Sequence, residues 1–221
     1  MAGKSYKQNC PIARGLDVLG ERWTLLILRE LIGGARRYSD LRAELPGIAT
    51  NLLADRLREL EESGIVDRIE LPPPIARTVY TLSELGWRKV PPVVQAIAMF
   101  GLDLIEPDAS AFTALNGFLA GILLAFDPVR AVDLDASYRV DIDGRRFEFA
   151  VVDRNLSAAR TDPAVTVTAT ASDLITARMG STAAERKAAL RRVTFDGDPD
   201  EIHAMRGAFR LSADPGLAVA A

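Results

Sequence analysis

Histidine and cysteine are almost missing from this sequence of 221 residues, which contains one of each, His203 and Cys10. His203 has neither a second histidine nor a cysteine cluster to work with, which excludes a metal site and a Cys–His dyad. No Gly-rich phosphate loop and no serine-centred nucleophile motif is present either. We therefore expect a protein that is not an enzyme and that uses no metal and no cofactor.

Long apolar runs are also absent. The longest, from Gly117 to Phe126, has ten residues, whereas about 20 apolar residues are needed to span a bilayer. The sequence opens without the charged and then apolar leader of a secretory signal. A single cysteine fits a reducing compartment and leaves no internal disulfide. These features predict a cytoplasmic protein without membrane insertion.

An excess of positive charge is lacking, since the net charge is −3. Residues 1–107 contain 14 Lys and Arg and 14 Asp and Glu, whereas residues 108–221 contain 13 and 16 and carry the whole deficit. Between Arg36 and Arg58 five arginines stand against three acidic residues. Because local charge decides how a protein meets a polyanion, the overall acidity does not exclude DNA as a partner.

The first half of the chain predicts helices followed by one hairpin. Helical spacing of apolar residues places helices in "PIARGLDVLG", "RWTLLILRELIGG", "RYSDLRAELPG" and "GIATNLLADRLRELEESGI". "IVDRIE" and "TVYTL" alternate and flank "LPPPIAR", which predicts two strands joined by a Pro-stiffened loop. Ser83 is expected to cap another helix, which Pro91-Pro92 interrupts before "VVQAIAMFGLDLI" resumes it.

The fourth predicted helix has two different faces. Its leucines, Leu52, Leu53, Leu57 and Leu60, share one face and are expected in the core. The opposite stripe consists of Thr50, Asn51, Ala54, Asp55 and Arg58. Such small, hydrogen-bonding or cationic side chains can reach base edges or phosphates. For an isolated helix, a face that merely contacts solvent is the alternative.

The order of the elements favours the DNA interpretation. A buried helix, a short helix, a turn, a helix with a polar stripe and a Pro-containing hairpin form a winged helix-turn-helix. The residues that open the short helix could hold phosphates; these are Arg36, Arg37, Tyr38 and Ser39. Arg68 and Arg77 flank the wing, where they could meet the DNA backbone or minor groove, or simply aid solubility.

These segments closely resemble the HxlR family of bacterial winged-helix transcription regulators. The resemblance runs from about Asn9 to Leu104 through "CPIARGLDVLGERWTLLILRELIGGARRYSDLRAELPGI", "NLLADRLRELEESGIVDR" and "VYTLSELG". It implies a homodimer on an inverted repeat of double-stranded DNA, with Thr50 to Ser63 as the second helix of the motif and Ile65 to Leu82 as the wing. The sequence departs from the family at Ala49, where a Ser-type helix cap is common, and Thr50 is expected to cap instead. Dimerisation is expected to use the N-terminal helix and the helix from Val93 to Leu104.

The sequence changes character after "EPDAS", Glu106 to Ser110, so we predict domains at 1–107 and 108–221. "FTALNGFLAGILLAF" predicts one apolar helix from Phe112 to Phe126. "VDLDASYRVDIDG" alternates as a half-buried strand, and Asp143-Gly144 signals a tight hairpin to "RRFEFAVV". "AVTVTATA", two helices and "VTFDG" complete the pattern, and "DGDPDE" predicts a helix start with Asp198 as its cap.

"TDPAVTVTATASDLITARMG" and "RVTFDGDPDEIHAMRGAF" resemble the sterol-carrier-protein family of lipid-binding domains. The resemblance implies an antiparallel sheet and helices that enclose an apolar tunnel, and hence a lipid-like or other apolar small molecule as effector. The side chains expected to line the tunnel are Phe118, Ile122, Phe126, Phe147, Phe149 and Met179. A dimer contact and an ordinary core remain alternatives for this apolar surface.

Cys10 matches the Cys-Pro of the first resemblance, in which some members sense oxidants through cysteine chemistry. Nothing in the sequence clearly lowers its pKa, so a structural role is the alternative to redox sensing.

The sequence thus predicts an α+β protein with an N-terminal winged helix-turn-helix domain and a C-terminal sterol-carrier-like sandwich. The expected function is DNA-binding transcription regulation by a homodimer, controlled by an apolar effector. The alternatives are a lipid-binding or carrier protein whose winged domain serves only dimerisation, and an enzyme that works on the C-terminal pocket.

Overall fold

Residues 5–74, 76–104 and 112–216 are described by the computed structural model of the chain. The chain divides into two units, residues 1–90 and residues 91–221. The predicted boundary after residue 107 and the "EPDAS" segment lie outside the described residues, and that boundary stays a prediction. In the described residues, no helix is both long and apolar enough to cross a membrane.

The first unit contains the helices and the hairpin of a winged helix-turn-helix. Its elements are α1 (Pro11–Leu19), α2 (Thr24–Ile32), α3 (Tyr38–Glu44), α4 (Thr50–Glu62), β1 (Val66–Leu71), β2 (Arg77–Leu82) and the first part of α5 (Glu84–Gly101). The four predicted helices and the predicted hairpin are therefore confirmed. β1 and β2 pair antiparallel from Val66 opposite Leu82 to Leu71 opposite Arg77.

The core of this unit follows the spacing of its apolar residues. Leu53, Leu57 and Leu60 of α4 are buried, as their shared face predicts, while Leu52 is only half-buried. They belong to the same core as the apolar residues of α2 and α3, which are Ile27, Leu28, Leu31, Ile32 and Leu41. Each fully buried leucine contributes about 1.5–3 kcal/mol relative to an exposed one. This burial orients α4, because it leaves the opposite stripe facing solvent.

The predicted interruption at Pro91-Pro92 is wrong. α5 runs through both prolines without a break to Gly101, and a 3₁₀ turn follows at Leu102–Leu104. A proline removes one backbone donor, but its φ near about −65° is a helical value, so a helix can continue through it. The predicted cap is confirmed, because the Ser83 hydroxyl accepts a hydrogen bond from the Gly86 N–H at 2.9 Å.

The second unit combines one mixed sheet with helices. Its remaining elements are α6 (Ala114–Phe118), a π-helical segment (Leu119–Leu123), β3 (Ala136–Ile142), β4 (Arg145–Val152), β5 (Asn155–Ser157), β6 (Val165–Ala169), α7 (Ala171–Met179), α8 (Ala183–Leu190), β7 (Thr194–Gly197) and α9 (Pro199–Ala208). The strand order is β5-β4-β3-β6-β7. The expectation of an antiparallel sheet is wrong at one ladder, since β6 pairs parallel to β3. After the β3–β4 hairpin and β5, the chain crosses back, so β6 lies on the side of β3 opposite β4. β6 runs in the same direction as β3.

The turn chemistry of this unit was predictable. Asp143 and Gly144 join β3 to β4 and both have positive φ, 48° and 79°, as a type I′ hairpin requires. Asp198 caps α9 by accepting from the N–H groups of Asp200 and Glu201, and Pro199 is the first helical residue.

The predicted apolar helix from Phe112 to Phe126 differs in extent and in form. It begins at Ala114, because the Thr113 hydroxyl accepts from the Asn116 N–H and caps it, and it becomes π-helical from Leu119. Gly117 allows a close approach to α7, since a Cβ there would lie 2.8 Å from Ala171 Cα. Neither the cap nor this contact is visible in hydrophobic spacing alone.

Candidate nucleic-acid interface

The turn between α3 and α4 fixes the geometry of the candidate interface. Gly47 in this turn has φ +91°, a left-handed value that favours glycine. The Tyr38 hydroxyl, in the first turn of α3, donates to the Thr50 carbonyl oxygen at 2.6 Å. This bond joins the starts of the two helices, so Tyr38 positions α4 rather than only facing outward.

The outward stripe of α4 is exposed as predicted. Thr50, Asn51, Ala54 and Arg58 are exposed and Asp55 is half-buried. Ala49 occupies the N-cap without a side-chain bond, and Thr50 is the first helical residue. The expectation that Thr50 caps the helix is therefore wrong, because the residue enters the helix one position too late to accept from its N–H groups.

Two of the predicted DNA contacts bind each other. Arg58 Nη2 lies 2.6 Å from Asp55 Oδ1, and both side chains remain about half-exposed. The carboxylate orients the guanidinium along the surface of α4. The two charges of the pair cancel, so together Arg58 and Asp55 carry no net charge.

Arg56 is a residue that the sequence reasoning overlooked. Its side chain is largely buried and contacts Glu59 of the same helix and Glu21, at 3.2 Å, in the connection between α1 and α2. Arg56 therefore joins the side of α4 that is opposite the outward stripe to the connection between α1 and α2. The three-residue spacing of Arg56 and Glu59 was visible in the sequence, but the contact with Glu21 was not.

Arg36 and Arg37 are adjacent but lie in different environments. The backbone of Arg36 pairs with Tyr80 of β2 in both directions, at 2.9 and 2.7 Å. Its side chain is half-buried, with Nε and Nη2 out of solvent. Arg37 is exposed, as is Ser39. Arg37 and Ser39 are consequently better placed than Arg36 to meet a phosphate.

A buried carboxylate lies in the core of the first unit. Glu30 of α2 is 1% exposed, and burial raises the pKa of its carboxyl above the usual value. Arg29 opposes this rise through a contact of 2.9 Å with Glu30 Oε1, and the charge of Arg36 opposes it as well.

The two arginines of the wing lie on opposite faces of the hairpin. Arg68 pairs with Tyr80 and Arg77 with Leu71 in the β1–β2 register, and side chains alternate between the faces of a strand. Arg68 also contacts Glu70 Oε1 at 3.1 Å. One surface of the wing can therefore present one of these arginines to DNA, but not both.

The predicted ligand residues of the second unit fall into two groups. Phe118, Ile122, Phe147 and Phe149 are buried, and the rings of Phe118 and Phe147 stack with centroids 4.5 Å apart. Phe126 is half-buried, and Met179 is exposed at the end of α7. We call the six aromatic side chains that contact one another here the aromatic cluster; these are Phe118, Phe126, Tyr138, Phe147, Phe149 and Phe209.

Tyr138 and Phe209 complete the aromatic cluster but were not predicted as ligand residues. Tyr138 lies in the alternating segment that predicts a half-buried strand, and the alternation puts it with the apolar residues, whereas Phe209 follows α9 and gave no periodic signal. Tyr138 is fully buried, and its hydroxyl has no hydrogen-bond partner among the described residues. Burial raises the pKa of this hydroxyl well above its usual range.

Arg178 of α7 is a second buried polar group near the aromatic cluster. It donates to the carbonyl oxygens of Gly121 (3.0 Å), Phe209 (2.6 Å) and Arg210 (3.1 Å), and to that of Pro215. Burial lowers its pKa to about 10, and the nearby charge of Arg210 adds to this effect. Arg178 therefore ties the π-helical segment to the chain that follows α9.

Cys10 occupies the N-cap of α1. Its side chain makes no cap hydrogen bond, but the nearby backbone N–H groups of Ala13 and then Ile12 lower the pKa of its thiol. His203 is exposed on α9, and the described residues contain no group of three or more metal-ligating side chains. Redox sensing by Cys10 stays a prediction.

The match to a known protein family includes α2, α3, α4 and the wing. Residues 18–109 match the family model described as HxlR-like helix-turn-helix. An uncharacterized HTH-type transcriptional regulator of Synechocystis, sll1512, is 39% identical over 108 residues, which are 49% of this chain and 79% of that protein. Another, YvaP of Bacillus subtilis, is 33% identical over 104 residues, covering 47% of this chain and 95% of that protein. The solved structure of the reduced transcriptional regulator YodB from B. subtilis is 33% identical, with a TM-score of 0.39, and covers 46% of this chain and 99% of that one.

Proposed function

The chain belongs to the HxlR-like helix-turn-helix family, and from this premise we propose that it is a DNA-binding transcription regulator. The observation that carries the proposal is the outward stripe of α4, which is held by a buried leucine face and lies in the second helix of a helix-turn-helix. The major groove, about 12 Å wide, admits such a helix.

Each element then has a role at the DNA. Asn51 suits the N6 and N7 atoms of adenine, and Arg58 suits guanine or a phosphate. Asp55 either accepts from the N4 amino group of cytosine or holds Arg58 in position. Arg37 and Ser39 would contact the phosphate backbone, and one wing arginine would contact the flanking groove.

The proposed active form is a homodimer. Large apolar side chains are exposed on α1, where Ile12 is 74% exposed, and near the end of α5, where Phe100 is 82% exposed. A second copy of the chain would cover such side chains. Two recognition helices about 34 Å apart would enter successive major grooves of an inverted repeat.

We propose an apolar or lipid-like effector for the second unit. The sterol-carrier resemblance and the buried Tyr138 hydroxyl support this proposal, because a ligand with one hydrogen-bond acceptor could satisfy that hydroxyl. Such a ligand would have to separate the stacked rings of Phe118 and Phe147. It could regulate DNA binding only if it favoured one spacing of the recognition helices.

Salt-dependent binding to an operator selected in vitro from random duplexes tests the DNA proposal. Specific binding is expected to weaken as salt rises, because each neutralised phosphate releases counterions. The substitution Asn51→Ala should reduce the preference for the selected operator over a shuffled duplex. Arg160→Gln, an exposed position in the second unit, is the control. Lipid recovered from a protein that shows no preference for any duplex would instead support a lipid carrier.

A further inference from the structure

A groove of about 430 Å³ lies between the start of α3 and one face of the wing. This volume is within the range of about 300–1,000 Å³ that small-molecule sites occupy. Its lining consists of Ala35, Arg37, Asp40, Ile69, Leu71, Arg77, Val79 and Thr81. The groove lies wholly within the first unit and is separate from the aromatic cluster.

The floor of the groove is apolar because of the hairpin register. Ile69 pairs with Val79, and Leu71 pairs with Arg77. Paired residues share a face, so Ile69, Leu71 and Val79 form one continuous apolar surface. Ile69 is 42% exposed, which leaves a large β-branched side chain in water at this position. An apolar ligand would remove that surface from solvent.

The charges that line the groove are two guanidinium groups and one carboxylate, which together leave a single net positive charge. Asp40 Oδ2 accepts from the backbone N–H of Arg37 at 3.2 Å, and Ser39 Oγ lies 3.3 Å from Asp40 Oδ1. Within the described residues, no salt bridge to Arg37 or Arg77 is found. Asp40 would repel a second negative charge, so the lining favours a monoanion over a dianion.

We propose that this groove binds a small monocarboxylate with an apolar body. The body would cover Ile69, and the carboxylate would take hydrogen bonds from both Arg37 and Arg77. The same two arginines are proposed DNA contacts, so the ligand and a phosphate would compete for them. The binding step does not depend on the proposed function, whereas the competition with DNA rests on it.

Benzoate is the probe for the binding step, followed by backbone amide resonances of the full chain. We expect benzoate at millimolar concentrations to shift the resonances of residues 35–40, 69–71 and 77–81. The neutral benzyl alcohol should bind at least about tenfold more weakly, because it lacks the charge-assisted hydrogen bonds. Phthalate, a dianion, should also bind more weakly. Equal binding of benzyl alcohol, tighter binding of phthalate, or no shift at the groove would overturn the proposal.

Two variants and one matched control locate the site. Ile69→Gln removes the apolar floor at an exposed position, and Arg77→Gln removes one cation but leaves the floor intact. Both should lose benzoate binding. Arg68→Gln changes an arginine on the opposite face of the same hairpin and should bind benzoate as the native chain does. Loss of binding in Arg68→Gln, or retention in both other variants, would place benzoate elsewhere.

Competition is measured with the selected operator while sodium benzoate replaces sodium chloride at constant ionic strength. DNA affinity should fall about tenfold in the native chain, the effect of losing one charge-assisted contact. It should stay constant in Ile69→Gln, which removes no proposed DNA contact. If benzoate weakens DNA binding equally in both proteins, the groove is not the cause. If no duplex binds but benzoate still shifts the groove, the regulator proposal fails and the site stands.

Discussion

Replacing Arg58 by alanine is expected to weaken DNA binding far more than it weakens the fold. Arg58 lies in the outward stripe of α4, and its side chain is 55% exposed. Among the described residues it pairs with Asp55, at 2.6 Å. An exposed pair at this helical spacing contributes about 0.3–0.5 kcal/mol. The melting temperature of the first unit should therefore fall by about 1–4 °C.

The expected effect on DNA affinity is larger. An arginine that contacts a base edge contributes about 1–3 kcal/mol, which is about 5- to 150-fold in affinity. Fluorescence anisotropy with the selected operator measures this change, and circular dichroism melting measures the effect on stability. The control Arg160→Ala replaces an exposed arginine of the second unit and should leave affinity within about twofold of the native value.

Asp55→Asn separates the two roles proposed for Asp55. If the carboxylate only orients Arg58, Arg58→Ala should cost less affinity when Asp55 is already replaced. If Asp55 accepts from a base, Asp55→Asn should relax the preference at one operator position by itself. The interpretation of the outward stripe is refuted if Arg58→Ala loses no more affinity than Arg160→Ala.

Three further predictions concern the buried and bridged groups. Tyr38→Phe removes the 2.6 Å bond to the Thr50 carbonyl and should cost about 0.5–1.5 kcal/mol in denaturant unfolding; an unchanged free energy of unfolding would contradict the bracing role. Burial raises the pKa of Glu30, so its contribution to stability is complete below the ordinary glutamate pKa and declines as pH rises through the raised value. Glu30→Gln should flatten that decline in unfolding measured from acidic to neutral pH, and an unaltered pH profile would contradict it. The Arg186 hydrogen bonds lower the pKa of Asp214 to about 2, so this contact persists above the ordinary carboxylate pKa and is lost as pH falls towards about 2; in Asp214→Asn, hydrogen exchange of residues 211–216 should already be fast at mildly acidic pH, and native-like protection would argue against the bridge.

Periodicity and turn chemistry predicted most of the local structure. The burial of Leu53, Leu57 and Leu60 follows from helical spacing, and the β3–β4 hairpin follows from Asp143-Gly144. These features depend on residues close in sequence, so one chain is enough to infer them. The prediction of a helix break at Pro91-Pro92 is wrong, because proline disfavours a helix without forbidding it.

Features that depend on distant contacts were beyond the sequence. Arg36 and Arg37 are neighbours of the same type, and only the pairing of Arg36 with Tyr80 separates an inward guanidinium from an exposed one. The largely buried side chain of Arg56 contacts Glu21, which lies 35 residues earlier in the sequence. Likewise, the pairing of β1 with β2 puts Arg68 and Arg77 on opposite faces of the wing. Amino-acid composition does not reveal which residues pair across a hairpin.

Selection of duplexes from a random library by the full chain, with the native sequence and with Asn51→Ala in parallel, tests the central claim most directly. The native chain is expected to enrich an inverted repeat whose half-sites lie about one helical turn apart. Asn51→Ala should enrich a repeat in which one position of each half-site has lost its base preference. Enrichment of no sequence by the native chain, or of an identical repeat by both proteins, would contradict the proposal that α4 reads DNA through this stripe.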